Sequence, residues 1–291
     1  MSISINTNVA ALSIQNCLNK AAAAMNKNLE RLSSGQRINH ASDDPAGLYV
    51  ASNMNSQMRG MKVAQQNVSM ANNMIETAVG DMDAIHAQIE RIKELATEYA
   101  NSTLSTEQQA AIKEEVSQRI DEINRIAADS KFNDINLLDG TRSSGVRIQI
   151  GEGSDAATNA LVVEDVFEKA DAASLQLIGT GATYATVDAA FANATTAAAF
   201  IDIAKSSAET LSKRISSAGV YQSRLESVSN SIAIQYENVY SAYSTVMDAD
   251  VAEETAGYVK NQLLMQTASS MLIQANQMEG IIALSLVNSL G

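Results

Sequence analysis

The sequence predicts a mostly α-helical protein: a long antiparallel coiled-coil rod, a small β-hairpin region, and N- and C-terminal helices that pair with each other. Three observations point there. Apolar residues recur at steps of three and four over very long stretches, which puts them on one helix face. The 291-residue chain has no Trp, a single Pro (Pro45) and 4% aromatic residues, the makeup of extended helices rather than of an aromatic-packed enzyme core. Both ends are almost uncharged: Lys20 is the only charged side chain from Met1 to Met25, and Glu279 the only one from Gln262 to Gly291.

The first stripe runs Ala11, Ile14, Leu18, Ala22, Met25, Leu29, Leu32, and the last runs Leu264, Ala268, Met271, Ala275, Met278, Ile282, Leu286. A lone helix cannot satisfy such a stripe. The two ends are therefore expected to meet each other and further copies of the chain, with Leu18, Met25, Leu29, Leu264, Met271, Met278 and Ile282 as the polymerisation contacts. Ser33-Ser34-Gly35 reads as a helix stop, because Gly tolerates the left-handed conformation that ends helices. After the polar stretch 36–44, Ser42 or Asp43 is expected to cap a helix with Pro45 in its first turn, where the missing amide costs nothing. That helix carries Ile75, Ala78, Met82, Ile85, Ile89, Ile92, Ala96 and Tyr99 without a slip, a coiled-coil repeat. Ser105 and Gln108 fit a capping box ahead of the next helix. There Ile112, Val116, Ile120, Ile123 and Ala127 share a face, with Glu115, Gln118, Arg119 and Glu122 outside it.

Beyond Phe132 the pattern changes. Asn136–Gly140 signals a turn, and 146–150 alternates with period two as a half-buried strand does, returning through 151–159 into Leu161-Val162-Val163. A short apolar piece, Leu175–Ile178, stops at Gly179. The Ala- and Thr-rich run 180–199 has little periodicity and reads as an exposed tip or connection. The heptad resumes at Ile201, Ala204, Ala208, Leu211, Ile215 and Ala218. It continues, with Gln222 on the seam, to Leu225, Val228, Ile232, Val239, Ala242 and Val246. Asp248–Glu254 is an acidic break before the last helix.

Composition excludes several classes. A formal net charge of −13 argues against nucleic acid, which needs a basic stripe. No apolar run reaches the roughly 20 residues that cross a bilayer, and no Sec-type signal is expected at the N-terminus. The lone Cys17 cannot make an internal disulfide and, set among apolar neighbours at helical spacing, is expected to be a small buried hydrophobe. His40 and His86 have no ligand spacing, and the glycines at 140, 145, 151 and 153 lie in a β-turn region, not between strand and helix. No catalytic residue, metal or cofactor is expected.

Ile5-Asn6-Thr7-Asn8, Leu32-Ser33-Ser34-Gly35, Arg37-Ile38-Asn39 and Asp43-Asp44 resemble the N-terminal signature of bacterial flagellins, and Gln274-Ala275-Asn276-Gln277 resembles the C-terminal one. The resemblance covers roughly 1–180 and 196–291. It implies an inner coiled-coil domain from 1–42 with 251–291, a rod from 43–180 with 196–250, and a variable outer insertion reduced to 181–195. Pro45 where Ala is common, Cys17 in a family poor in cysteine, and Leu290-Gly291 in place of a basic end depart from the pattern. The implied function is self-assembly into the filament used for swimming, after export through the flagellar type III channel. The implied partners are further copies, an export chaperone, and the hook-associated junction and cap proteins. By motif, Arg91, Leu95 and Glu115 resemble the contact of flagellins with the host Toll-like receptor for flagellin, with Arg91 and Leu95 off the Ile89/Ile92/Ala96 seam. A hook–filament junction protein and a secreted coiled-coil binding protein, such as an adhesin or effector, are the alternatives.

Overall fold

The computed structural model describes residues 8–101 and 103–290, without the side chains of Ala156, Glu279 and 282–290. Its helices are α1 (Val9–Ser34), α2 (Pro45–Tyr99), α3 (Thr106–Asp129), α4 (Ala156–Asn159), α5 (Val187–Ala190), α6 (Ala194–Met247) and α7 (Val251–Leu290). Four short strands lie between α3 and α5: β1 (Lys131–Phe132), β2 (Ile135–Asn136), β3 (Val146–Gln149) and β4 (Ala160–Val163). The chain divides into two compact units, one holding residues up to Ser56 and from Asn238 onward, the other Gln57–Glu237. The division falls inside α2 and α6, whereas the limits expected from sequence follow helix ends.

In the first unit α1 stops where Ser33-Ser34-Gly35 predicts. Gly35 adopts φ 69° and its amide donates to the Arg31 carbonyl at 2.9 Å, a left-handed helix cap. The following loop is stitched to the α6–α7 junction. The Arg37 amide donates to the Met247 carbonyl at 2.7 Å and the Ala249 amide to the Gly35 carbonyl at 3.0 Å, an isolated antiparallel bridge between Gln36 and Asp248. Beneath it Ile38, Ala51 and Met247 form a small core against Leu48, Tyr243 and Val246. Pro45 is the first residue of α2, but the cap is Asp44 rather than Ser42 or Asp43. The Asp44 carboxylate accepts the Gly47 amide at 2.9 Å, three residues on, as helix capping requires.

The second unit is built on the α2 seam. Ile75, Ala78, Met82, Ile85, Ile89, Ile92, Ala96 and Tyr99 are all buried. The same spacing extends back through Ala71, Val68, Ala64, Met61 and Met58. α3 opens on the Ser105/Gln108 capping box and buries the five expected residues. It lies antiparallel on α2, since Arg91 pairs with Glu115 while Gln88 pairs with Arg119. α6 also runs antiparallel to α2. Tyr99 meets Phe191 just ahead of α6, and Gln65 and Ser69 share a groove with Ser229 further along it.

β3 and β4 pair antiparallel with Val146 opposite Val163 and Gln149 opposite Ala160, so Ile148, Leu161 and Val163 turn inward. Asn67 on α2 holds this hairpin by donating to the Gln149 carbonyl at 3.1 Å. A second hairpin, β1–β2, falls where the sequence showed only the end of a helix. Asn133 and Asp134 have φ of 50° and 61°, the two-residue turn whose twist suits a tight hairpin. The expectation of an exposed tip at 180–199 is corrected in part. Phe191 is buried edge-on against Tyr99, whose hydroxyl donates to the Phe191 carbonyl at 2.6 Å, and it also packs on buried Phe200 just beyond the run. The Phe191 ring, held between Tyr99 and Phe200, outweighs the surrounding Ala and Thr and holds this part of the run against the helices.

Ile89→Asp is expected to bury an unpaired carboxylate and cost several kcal/mol, whereas Glu90→Ala, which breaks only a surface pair with Lys93, should cost little. Thermal melts of the two variants check this, and equal melting temperatures would refute the seam assignment.

Candidate assembly surfaces

α1 and α7 pack along a seam that alternates threes and fours on both helices. Ala11, Ile14, Leu18, Ala21, Met25, Asn28 and Leu32 turn inward from α1. Glu254, Gly257, Tyr258, Asn261, Met265, Ala268, Leu272 and Ala275 turn inward from α7. The helices run antiparallel: Asn28 and Arg31 reach Glu254, while Asn8 at the other end donates to the Ala275 carbonyl at 3.5 Å.

The expected contact residues divide into two groups. Leu18 and Met25 sit half-buried on the seam. Leu29 is turned outward, 52% exposed, with Asn28 in the place expected for it. On α7 Ala268 and Ala275 of the expected stripe turn inward, but Met265 and Leu272 take the places expected for Leu264 and Met271, so Leu264, Met271 (54% exposed) and Met278 (63% exposed) point away from α1. The side chains of Ile282 and Leu286, like residues 5–7 of the N-terminal signature, lie outside the described residues.

The shift has a physical cause. α7 carries apolar residues on every side, with Val259, Leu263, Ile273 and Ile281 exposed as well. Apolar identity therefore cannot name the face that meets α1, and a helix apolar all round is one that is buried all round. Cys17 corrects another expectation: it is exposed on α1, not buried.

The polar loop after α1 is held to that helix by an ion pair and by a His–carboxylate contact. Lys27 Nζ lies 2.7 Å from Asp43, and His40 Nε2 lies 2.8 Å from Glu30. The Lys27 ammonium, with the His40 and Asn39 amides, holds the Asp43 carboxyl down at about 2, below its ordinary 3.8.

In the second unit Arg91 and Glu115 come together as the motif implies, Nε to Oε1 at 3.1 Å and both partly exposed. Arg91 holds the Glu115 carboxyl below the usual range, with Arg119 adding to it. Leu95 does not join them at the surface. It is 1% exposed, because α2 is covered here by both α3 and α6 and buries a wider stripe than a two-helix seam needs. Among the described residues no group of three His, Cys, Asp or Glu is placed to hold a metal ion, and no helix is long and apolar enough to cross a membrane.

Residues 5–143 match the model of the bacterial flagellin N-terminal helical region, and residues 201–284 match that of the C-terminal helical region. The chain belongs to the flagellin family. The flagellar filament 30.7 kDa core protein of Treponema maltophilum is 37% identical over 278 residues, covering 94% of this chain and 95% of that one. The flagellin of Bacillus subtilis is 32% identical over 311 residues, covering 94% and 96%. A solved structure from Vibrio parahaemolyticus, assigned to the flagellar hook-associated proteins, superposes with a TM-score of 0.59 over 71% of this chain and all of that one. At 13% identity that likeness is one of fold. The two flagellin regions leave out 144–200, where the β3–β4 hairpin and α5 lie.

Sequence reasoning missed Asn28, Arg31, Glu254 and Asn261 as seam residues. The available signal was the heptad phase of Asn28, Glu254 and Asn261, which holds when polar residues are allowed to occupy it, whereas Arg31 flanks the seam and gives no such signal.

Because Asp43 is more acidic in the folded chain than unfolded, its contribution to stability is complete above about pH 4 and is lost as pH falls through about 2. Unfolding midpoints between pH 5 and 2 are expected to fall less steeply for Asp43→Asn than for the parent. Parallel curves would show that the Lys27–Asp43 contact contributes nothing.

Proposed function

We propose that the chain is a structural subunit that self-assembles into the bacterial flagellar filament, the helical polymer that drives swimming. The observation that carries this reading is the outer face of the α1–α7 pair. Leu29 on α1 and Leu264, Met271, Met278 and Ile281 on α7 stay exposed although their helices already have a partner. Identical subunits that bury such faces through heterologous, non-closing contacts form a helical polymer. Leu18 and Met25 contribute from the seam, and Leu29, Leu264, Met271 and Met278 from the faces between copies. In this reading 1–42 with 251–291 form the inner layer of the filament, 43–180 with 196–250 the rod, and 181–195 what remains of an outer insertion.

The role is structural rather than enzymatic, and its place is the flagellum outside the cell. Export without a Sec signal, an export chaperone, and docking to the hook-associated junction and cap proteins belong to the same proposal. A junction protein or a secreted coiled-coil binder is disfavoured, since relatives named as filament core proteins align with the chain nearly end to end.

The partly exposed Arg91–Glu115 pair of the second unit is the contact we assign to a host Toll-like receptor for flagellin. An Arg beside a carboxylate on adjacent helices offers the kind of charged anchor enriched at binding hot spots. Buried Leu95 supports that surface from below and makes no contact of its own.

Deleting 262–291 is expected to leave a soluble, largely helical chain that no longer polymerises, because the second unit keeps its own core. Electron microscopy after seeding reads this directly, and ordinary filaments from the truncated chain would overturn the assembly reading. Arg91→Ala with Glu115→Ala should leave the circular dichroism unchanged, since surface pairs contribute little stability, while strongly weakening the signal of monomer in a receptor-reporter assay. A silent parent, or a double variant equal to it, removes the receptor assignment.

A further inference from the structure

One layer of the α1–α7 seam is unlike the others. Asn28 Nδ2 and Arg31 Nη1 donate to the two oxygens of Glu254, the second at 2.8 Å, and Asn261 Nδ2 donates to Asn28 Oδ1 at 3.0 Å. Glu254 is 7% exposed, a carboxylate inside a helix–helix contact. Gly257 makes room for the cluster, since a Cβ there would lie 2.8 Å from Asn28 Nδ2. Every other inward position, apart from Gly257, is Ala, Ile, Leu, Met or Tyr at steps of three and four.

Such a seam has degenerate register. Slid by seven residues, apolar side chains again meet apolar side chains, and only the polar layer objects: the Glu254 carboxylate leaves Arg31 and enters an apolar layer unpaired. The layer is also a costly way to gain stability. It desolvates a carboxylate, and it leaves Arg31 Nε buried without a partner. Buried polar groups of this kind are best attested as register-setting devices in paired helices.

We infer that Asn28, Arg31, Glu254 and Asn261 set the axial register of α1 against α7, selecting one pairing among those a heptad apart. Its consequence rests on the assembly reading. A pair slid by a heptad carries Leu264, Met271 and Met278 about 10 Å along α1, so the faces offered to neighbouring copies no longer match.

Disulfide trapping in a Cys17→Ser parent tests this, on the soluble chain and on filaments. Ala21 and Met265 are level on the seam, between the Asn28–Gly257 contact and the Asn8–Ala275 hydrogen bond. Ala21→Cys with Met265→Cys reports the observed register, and Ala21→Cys with Tyr258→Cys reports the register slid by one heptad that carries Glu254 to the level of Met25. With the polar layer intact the first pair should oxidise roughly ten-fold faster than the second. With Asn28, Arg31 and Glu254 all replaced by Leu, that preference should vanish. Glu254→Arg alone should also lose it, and Arg31→Glu with Glu254→Arg should restore it. A triple-Leu variant that keeps the preference, or a charge swap no better than Glu254→Arg, overturns the inference. Failure of the Cys17→Ser parent to form filaments would instead count against the assembly reading, because the soluble chain still reports register.

Discussion

Interdigitation along heptad seams, between helices far apart in the sequence, is the interaction on which this molecule depends. α1 meets α7 across more than 200 residues, and α2 meets α6 within the second unit. Neither partner of such a pair can bury its stripe alone, and with 4% aromatic residues there is little else to build a core from. The hairpins and the loop at 164–179 are positioned by this framework. Arg214 on α6 grips the Glu168 carboxylate at 2.7 Å and the Lys169 carbonyl at 2.9 Å, and Ser207 donates to the Leu175 carbonyl at 2.6 Å.

The two units use their apolar residues differently. In the second, α2 packs against α3 and α6, and its Ile side chains and all its Met side chains from Met58 on, except Met70, are buried. In the first, the seam is made of smaller and more polar residues, while larger ones such as Leu263, Met271 and Met278 face outward. A monomeric soluble protein keeps large apolar patches small. An inversion of this kind marks a unit whose second round of burial takes place between molecules.

How much of this was legible in the sequence varied with the length and purity of the pattern. The α2 seam was plain because Ile, Met and Ala hold one phase through many turns. The Ser105/Gln108 box, the Gly35 stop and the alternation in β3 were plain because each is a local rule. The β1–β2 hairpin was not, since strands of two residues are too short to show a period, and only Asn133-Asp134 hinted at the turn. The burial of Phe191 depends on Tyr99, which lies 92 residues away. Leu95 was misjudged because a two-sided helix buries more than one stripe. The α1 seam differs by one residue at this level because Asn28 occupies a position that apolarity would have given to Leu29.

The distance between α1 and α7 along the chain also has a meaning in time. A polypeptide is made from its N-terminus at roughly 5–20 residues per second. With 223 residues between Arg31 and Glu254, α1 is finished roughly 10–45 s before the residues that cover it exist. Its pairing therefore waits until α7 has been made. A chain broken off before α7 carries an α1 that never finds its mate, and closure of the α1–α7 pair is a built-in record that translation reached α7.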